Sequence, residues 1–204
     1  MITAADIEKV FARQLERIKD AGLRKQVVEC WVSGCREGNW QNIEQLKAMP
    51  FTQLTDTKGV NLVEHTIAVT EGAWELAQAQ LRTYAKMPYS VNLDRLTAGG
   101  LLHDVGKLVE TESDGKGGFR TSLSGKCARH PISGSILAAK AGLPMDVINT
   151  IACHAKEGEG RPQVLETIFI HQADFATFDP LVMAQKGQII EIQNPKSKIQ
   201  NEQR

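Results

Sequence analysis

The sequence predicts an all-α fold, a bundle of helices preceded by a helical appendage. Apolar residues recur at the 3.6-residue period of a helix in several long segments, and only residues 110–126 favour a hairpin. The two strongest helical segments begin at Asn61 and near Val164, and each carries a histidine. Turn residues separate the segments, as expected for the loops of a bundle.

Length and composition bound the architecture and the class of partner. The 204 residues suit an appendage at 1–55, a main domain at 56–182 and a tail at 183–204. Hydrophobic residues make up 42% of the chain, which is enough for an ordinary buried core. The formal net charge is zero, so no global basic field supports nucleic acid as a partner, although a local basic patch would still allow it.

No segment of the sequence has the pattern of a targeting or membrane signal. The N-terminus lacks a basic stretch followed by an apolar run, and no uncharged stretch reaches membrane-spanning length. The four cysteines form no Cys-x-x-Cys pair, so we expect reduced thiols, a cytoplasmic location and no membrane partner. Cys153 adjoins His154 and could therefore contact a metal. The simpler interpretation is that it is a small buried hydrophobic residue.

The two ends of the chain predict structure but no chemistry. We expect N-terminal helices at about 4–20, from 23 to 31 or a little beyond, and at 42–48, followed by a connection at 50–61. Trp31 and Trp40 suit a core, although they also offer an interface. After Pro180 we expect a short apolar turn, and the last ten residues predict a frayed end.

The central helices carry polar groups on their apolar faces. A helix begins at Asn61, with Glu64 in the capping-box position, and its spacing places His65 inward as a satisfied core histidine or a ligand. The next helix leads into His103-Asp104. Gly99-Gly100 within it cost about 1 kcal/mol each relative to alanine, and close approach of another helix is a reason to accept that cost.

The pair His103-Asp104 lies inside the apolar run Leu101–Leu108 and is the first candidate for a metal site. Burying both groups is costly unless a partner satisfies them. A divalent cation does so, because imidazole nitrogen and carboxylate oxygen both bind first-row metals. The alternative is a hydrogen-bonded core histidine, with Asp104 capping a helix.

Residues 110–126 suit a short hairpin or a flap, because Asp114-Gly115 is a turn signal. If this segment folds over a site, Lys116, Arg120 and Lys126 would meet an anionic substrate. If it is a solvated surface loop, they would meet only water. We take Arg120 and Lys126 as candidate substrate-binding residues.

The C-terminal half supplies three more polar groups on helices. His130-Pro131 opens one helix, with proline at its first position. His154 points inward at the end of the next helix. Asp174 lies one turn after His171 on a final helix predicted from about Val164 to Phe178.

Six polar groups converge if these helices pack around one core: His65, His103, Asp104, His130, His154 and Asp174. Burying so many without compensation would be strongly destabilising, and metal coordination supplies the compensation. The count exceeds the four ligands of one zinc site. A set rich in imidazole, with a carboxylate able to bridge, therefore favours two divalent metal ions.

The order His…His-Asp…His…His…Asp resembles the HD-domain superfamily of metal-dependent phosphohydrolases over about residues 60–180. The segment Ala98–Lys107 is similar to the His-Asp-Ile-Gly-Lys segment of its HDIG branch, which includes ribonuclease Y-like domains and cyclic-dinucleotide phosphodiesterases. His130-Pro131-Ile132 and Gln172-Ala173-Asp174 also look like the matching segments there. The first 50 residues lie outside the resemblance.

The resemblance implies an HD-domain helical bundle and a role for each ligand. One metal would be held by His65, His103, Asp104 and Asp174, and a second, bridged by Asp104, by His130 and His154. Iron, manganese, nickel, cobalt and zinc are all candidates. The catalytic residues would be Asp104 and Lys107, with the Lys107 ammonium contacting a phosphate oxygen.

The implied reaction is hydrolysis of a phosphoester, on a nucleotide or another small phosphate ester, by a water between two cations. The glutamate of the single-metal nucleotidase branch, expected near Lys107, is absent. The Gly-Tyr-Pro signature of the cyclic-di-GMP branch is also absent, because Ser133-Gly134-Ser135 follows His130-Pro131-Ile132. His171 would be an outer partner or proton donor, or only a structural neighbour of Asp174.

Two other functions are compatible with this ligand set. Some diiron members of the superfamily are oxygenases, and an iron requirement with oxygen consumption would identify one. A non-catalytic sensor that keeps the fold is the third possibility. Six polar ligands and Lys107 argue against the sensor, since a scaffold does not need to bury them.

Overall fold

The computed structural model describes residues 1–161 and 163–190, and within them the chain is helical apart from loops and one two-stranded sheet. This confirms the all-α prediction. The helices are α1 (Ala4–Val10), α2 (Ala12–Leu15), α3 (Ala21–Glu37), α4 (Ile43–Ala48), α5 (Leu62–Thr83), α6 (Leu93–Leu102), α7 (Lys107–Glu110), α8 (Leu123–Cys127), α9 (His130–Lys140), α10 (Met145–Cys153) and α11 (Leu165–Gln185). A 3₁₀ turn, Lys156–Gly158, lies between α10 and α11.

The N-terminal segment is helical, but its boundaries differ from the prediction. The helix expected over 4–20 is two short helices, α1 and α2, which meet at Phe11, where φ is −111°. Helix α3 continues to Glu37, beyond the expected end near Trp31. Its buried positions continue past that point, since Gly34 and Cys35 are buried as well as Trp31.

Both N-terminal tryptophans are buried in the core. Trp31 Nε1 donates a hydrogen bond to the Leu101 carbonyl at 2.9 Å, and Trp40 Nε1 donates to the Leu108 carbonyl at 2.7 Å. The indoles thus satisfy carbonyls at the end of α6 and in α7, on either side of His103-Asp104. The N-terminal helices and the central helices share one hydrophobic cluster.

The glycine pair in α6 permits the close helix contacts that its sequence indicated. A Cβ atom added at Gly100 would lie 2.9 Å from the Thr70 hydroxyl oxygen of α5. At Gly99 it would lie 2.8 Å from Ile170 of α11 and 2.9 Å from Thr150 of α10. Helix α6 therefore packs at the centre of the bundle, against the three helices that carry three of the other polar groups.

The predicted hairpin is present at residues 111–121. Strands β1 (Thr111–Ser113) and β2 (Phe119–Thr121) pair antiparallel, with Glu112 opposite Arg120. The rest of the expected hairpin segment differs, because the Ser122 hydroxyl caps a short helix, α8, by accepting from the Gly125 amide.

Helix α11 continues through Pro180, so the apolar turn expected after this proline is wrong. Phe178 and Leu181, on either side of this proline in the sequence, pack against the main core. Their burial offsets the cost of the backbone hydrogen bond that proline cannot donate. The helix ends in a Schellman motif at Gly187, where φ is 63°. The frayed end predicted for the last ten residues lies outside the described residues. None of the described helices is long and apolar enough to span a membrane.

Candidate metal centre

One buried carboxylate, that of Asp104, lies between two pairs of histidines. Its Oδ2 atom is 3.2 Å from His65 Nε2 and 3.4 Å from His103 Nε2. Its Oδ1 atom is 3.3 Å from His130 Nε2 and 3.6 Å from His154 Nε2. Each oxygen therefore faces one histidine pair, which is the geometry of a carboxylate that can bridge two cations.

Asp174 adds a second carboxylate, with its Oδ1 atom 3.2 Å from His65 Nε2. The structure thus brings together all six residues that the sequence indicated as ligands. Two groups of potential ligand atoms, each within 4.8 Å of one another, share Asp104: one with His65 and His103, the other with His130 and His154.

The ligands sit at helix ends and on two long helices. His103 and Asp104 follow the last residue of α6, and turns of 3₁₀ type, from Val105 N–H to the Leu102 carbonyl and onward, lead into α7. Gly106 in this turn lies against α9, because a Cβ atom there would be 2.0 Å from the His130 carbonyl oxygen. The absence of a side chain at Gly106 therefore lets His130 approach Asp104.

Two of the histidines have their outer nitrogens fixed by backbone carbonyls. His103 Nδ1 is 2.7 Å from the Gly100 carbonyl oxygen, and His154 Nδ1 is 2.9 Å from that of Ile151. Since a carbonyl only accepts, each Nδ1 carries the hydrogen, and a neutral ring presents the Nε2 lone pair to Asp104. Lone pair and carboxylate repel each other unless a proton or a metal cation lies between them.

A buried polar atom without a partner supports the metal interpretation. Within the described residues, His154 Nε2 is buried and has no hydrogen-bond partner. Such an atom costs free energy unless something else satisfies it. The donor set of imidazole nitrogens and carboxylate oxygens fits a first-row divalent cation.

His130 and His65 have side chains as their outer partners. Glu110 Oε2 accepts from both His130 Nδ1, at 2.9 Å, and the His130 backbone amide, at 2.5 Å. His65 Nδ1 lies 3.2 Å from the Thr177 hydroxyl, which in turn donates to the Asp174 carbonyl at 2.8 Å. Outer partners of this kind orient ligating histidines in metal proteins.

Both carboxylates of the centre remain charged at neutral pH. Burial raises the pKa of Asp104, but the Lys107 ammonium, 2.6 Å from Oδ2, and His103 outweigh it and hold that pKa well below its ordinary value. Burial likewise raises the pKa of Asp174, but the hydrogen bond from His65 and the nearby His103 ring outweigh it and lower that pKa to about 2. The centre therefore offers two anions to a cation.

The pKa values of two histidines shift in opposite directions. Burial lowers the pKa of His65, but its contacts with Asp104 and Asp174 outweigh burial and raise it overall. Burial also lowers the pKa of His130, and the Glu110 hydrogen bond only partly opposes this. A lowered pKa keeps the His130 ring neutral, the form that binds a metal.

A cavity of about 520 Å³ opens onto Asp104 and Asp174. Three cations line it, Lys107, Arg129 and Lys156, and so do three aromatic rings, Phe51, Phe175 and Phe178. Glu110 and Glu157 line it as well, so its walls combine apolar rings with charges of both signs, which suits a polar organic molecule.

Arg120 and Lys126 are not brought to this cavity in the part of the chain that the structure describes. Arg120 Nε is 2.8 Å from Glu112 Oε1 on the paired strand, and Arg120 borders a separate groove. Lys126 is exposed on α8. Their contact with substrate stays a prediction, while Arg129 and Lys156, which sequence reasoning missed, line the cavity. Both lie within two positions of a predicted ligand histidine, and that was the available signal.

His171 is a structural neighbour of the centre. Its Nδ1 atom is 2.6 Å from the His154 carbonyl oxygen, and its ring lies 4.5 Å from that of Phe175. This contact links α11 to the end of α10, where His154 is placed.

Residues 62–176 match the sequence model of a protein family that is described as the HD domain. The chain belongs to the HD-domain family. The resemblance drawn from the sequence is therefore confirmed, together with the fold that it implied. The family match contains all six candidate ligands and Lys107.

Several similar HD-domain proteins bear the name ribonuclease Y. Those of Thermotoga petrophila and Thermotoga maritima are each 30% identical over 131 residues, which cover 64% of this chain and 21% of theirs. That of Finegoldia magna is 29% identical over 142 residues, covering 69% of this chain and 23% of its own. The chain thus spans about a fifth of the length of these relatives. No solved structure matches it.

The HD match stops short of some residues that contact the centre. The bounds of the match exclude Phe51 on one side and Thr177 and Phe178 on the other. Phe51 and Phe178 line the cavity, and Thr177 is the outer partner of His65.

Proposed function

We propose that this chain is a metal-dependent phosphohydrolase that uses two divalent cations to hydrolyse a nucleotide or another small phosphate ester. The observation that carries the proposal is the Asp104 carboxylate, which faces a histidine pair with each oxygen and lies 2.6 Å from the Lys107 ammonium. Membership of the HD-domain family supports the same chemistry.

The six ligands divide into two sets that share Asp104. One cation would be held by His65, His103, Asp104 and Asp174, and the other by Asp104, His130 and His154. When bound, two such cations supply an acidified water and neutralise charge on the phosphoryl oxygens. Iron, manganese, nickel, cobalt and zinc all accept this imidazole-rich set.

The chain's own cations orient the phosphate. Lys107 holds Asp104 ionised and borders the cavity, so its ammonium can also donate to a phosphoryl oxygen. Arg129 borders the same cavity, and its NH1 atom is 2.6 Å from Glu157 Oε1, an ion pair that restrains the half-exposed guanidinium at the edge of the cavity. A guanidinium donates two parallel hydrogen bonds to a phosphate, and this favours one orientation of the ester.

The size of the cavity supports a small substrate. A volume of about 520 Å³ lies within the range of small-molecule sites, and its three phenylalanine rings suit the organic part of a nucleotide. RNA is the nucleic-acid candidate, because the similar proteins are named ribonuclease Y. The zero net charge gives this candidate no further support.

The experiment that tests the proposal measures metal and hydrolysis together. Elemental analysis of the full chain is compared with that of His103→Ala, and each protein is assayed on a phosphomonoester, a phosphodiester, nucleotides and a single-stranded RNA. We expect about two metals per chain, lost in the variant, and hydrolysis of at least one ester only with metal.

The contrary outcomes are distinct. A protein that binds iron, consumes oxygen and hydrolyses no ester is an oxygenase, not a phosphohydrolase. A protein that takes up no metal after reconstitution has no catalytic centre of this kind and leaves the sensor as its function.

A further inference from the structure

Phe51 lies eleven residues before the first position of the HD match, yet it touches the metal centre. Its ring is buried and stacks on the His65 imidazole, with a centroid separation of 4.1 Å and an interplanar angle of 15°. The Lys107 ammonium lies 5.6 Å from the centroid of the same ring. One side chain therefore contacts a candidate ligand and the cation that pairs with Asp104.

The segment that carries Phe51, residues 49–56, is attached to two long helices. At one end, the Leu62 amide of α5 donates to the Met49 carbonyl at 2.9 Å, and Pro50 pairs with Asn61 in an isolated bridge. At the other end, Thr55 and Asp56 both contact the side chain of Gln185 in α11. These attachments fix the segment over the helices that carry His65 and Asp174.

His65 has the longest outer hydrogen bond of the four candidate histidine ligands. Its Nδ1 atom is 3.2 Å from the Thr177 hydroxyl, whereas His103 and His154 lie 2.7 and 2.9 Å from fixed carbonyls. A hydroxyl rotates, so it restrains the plane of a ring less than a carbonyl does. The parallel face of Phe51 supplies the missing restraint, because turning the imidazole would push its edge into the phenyl ring.

The ring of Phe178 in α11 also packs against the phenyl ring of Phe51. The two rings meet edge to face, with centroids 6.4 Å apart and an interplanar angle of 89°. Phe51 is thus enclosed between α11 and His65, and its orientation is set by the same helix that supplies Asp174.

We propose that Phe51 is a positioning residue of the metal centre, which holds the His65 ring in the plane that directs Nε2 at a cation. The proposal rests on the proposed function in one respect, that His65 binds a metal. Segment 49–56 is then part of the centre, although it lies outside the family match. Filling the core, the ordinary role of a buried phenylalanine, needs neither the parallel stack nor the contact with Lys107.

The test measures cobalt affinity of the full chain in two backgrounds. His154→Ala leaves the His65 half of the centre, and His65→Ala leaves the His130 half. Phe51→Leu keeps apolar bulk but removes the flat face, while Phe51→Tyr keeps the face. Removal of an outer partner of a ligand typically weakens metal binding 10- to 100-fold, so we expect about 10-fold weaker binding for Phe51→Leu in the His154→Ala background.

The other arms make this result specific. Phe51→Leu should leave cobalt affinity unchanged in the His65→Ala background, and Phe51→Tyr should bind cobalt like the parent protein. Phe11→Leu is the matched control, because Phe11 is also buried and aromatic, 4.9 Å from Trp31, and belongs to the N-terminal segment. Thermal unfolding of the metal-free proteins should show a loss for both leucine variants, and only Phe51→Leu should change cobalt affinity.

Several outcomes overturn the proposal. Equal weakening by Phe51→Leu and Phe11→Leu, or equal weakening of both halves, would assign Phe51 to packing alone. If either alanine background unfolds, the same variants are titrated in the native background, where two unchanged cobalt sites in Phe51→Leu also reject it. A wild-type chain that binds no cobalt rejects this role together with the metal centre. A chain that binds two cobalt ions but hydrolyses no ester rejects the proposed function alone.

Discussion

At the scale of single residues, each of the four candidate histidine ligands has a hydrogen-bonding partner at its outer nitrogen. His130 is the clearest case, because Glu110 accepts from both its ring and its backbone amide. Burial raises the pKa of Glu110, but the hydrogen bonds from His130 and the nearby charge of Arg129 together outweigh it, so the pKa is lowered and the carboxylate stays charged beside the ring. A charged acceptor makes the far nitrogen of the imidazole a stronger donor to a metal.

Glu110→Gln should weaken metal binding at the His130–His154 half of the centre. The amide keeps the size of the side chain but removes its charge, so we expect about 10-fold lower affinity there and no change at His65 and His103. Stepwise titration with cobalt measures both halves. Glu112→Gln, two residues on and in an exposed pair with Arg120, is the control, and equal loss in both variants would contradict the prediction.

Lys107→Ala should lower kcat/KM by about 10²- to 10³-fold, the usual effect of removing a donor to developing negative charge. Arg120→Ala and Lys126→Ala should change it less than about threefold, because neither side chain borders the cavity in the described part of the chain. Steady-state kinetics on a phosphate ester compares the three. A large loss in Lys126→Ala would instead place the hairpin segment over the substrate, as its sequence first indicated.

The six candidate ligands could be found from the sequence for different reasons. Helical spacing indicated that His65 and His154 face inward, the apolar run indicated the pair His103-Asp104, and the order of the polar groups supplied the rest through the family resemblance. Phe51, Glu110 and Thr177 could not be found, since none of them falls in a motif. Their contacts with histidines cross between elements, and the path of the intervening loops decides them. Arg120 and Lys126 were candidates from the sequence, but neither side chain borders the described cavity. A cation in a glycine-rich segment gives no information about which way the hairpin faces.

At the scale of elements, the turn between α6 and α7 sets how closely α9 can approach. Gly106 occupies this turn, and a Cβ atom there would be 2.6 Å from the Gly134 amide nitrogen as well as 2.0 Å from the His130 carbonyl oxygen. Neither backbone atom can move without shifting α9, so the separation of the two histidine pairs depends on this one position.

Gly106→Ala should separate α9 from Asp104. We expect a loss of about 1–3 kcal/mol in the free energy of unfolding, as for other overpacked sites, and loss of the metal bound by His130. Urea unfolding and elemental analysis measure the two effects. Gly72→Ala is the control, because its nearest neighbour would be the Ala173 side chain at 3.3 Å. Full metal content in Gly106→Ala would show that α9 adapts.

Helix boundaries show where local signals fail. Pro180 is a helix-ending signal in the sequence, but the burial of Phe178 and Leu181 keeps α11 continuous to Gln185. The opposite error occurs at Phe11, where an apolar period runs on although the helix is interrupted. In both cases tertiary packing, which no local pattern contains, decides the outcome.

At the scale of the whole molecule, the N-terminal helices are joined to the bundle by polar as well as apolar contacts. Glu71 of α5 accepts from Arg17 at 2.8 Å and from Gln14 at 2.7 Å. Burial raises the pKa of Glu71, but the hydrogen bonds from Arg17 and Gln14 outweigh it, so the pKa lies below its ordinary value of 4.5.

The lowered pKa of Glu71 gives a pH dependence of defined sign. The folded chain keeps this carboxylate ionised to lower pH than the unfolded chain, so its stabilisation is complete above pH 4.5 and is lost as the pH falls through the folded pKa. Glu71→Gln should therefore cost about 1 kcal/mol at neutral pH, and less as the pH falls below 4.5. Urea unfolding across pH measures this, with Glu75→Gln, an exposed residue, as control; a constant difference would contradict it.

The sequence predicted an appendage joined to a family domain, and that division stays a prediction. The sequence does not predict how closely the N-terminal helices pack against the rest of the chain. An apolar stripe on a helix fits any apolar surface, so periodicity predicts α1 and α3 without naming their partners. Trp31 and Trp40 donate hydrogen bonds to backbone carbonyls on either side of His103-Asp104, and these bonds depend on that packing alone.

Segment 49–56 connects the two long helices α5 and α11. It is attached to the start of α5 and to the last residue of α11, and between these points its phenyl ring bears on His65. Separation of the start of α5 from the end of α11 would pull on both attachments of this segment and so on the Phe51 ring. An opening of this end of the molecule would therefore also loosen the contact that Phe51 makes with His65.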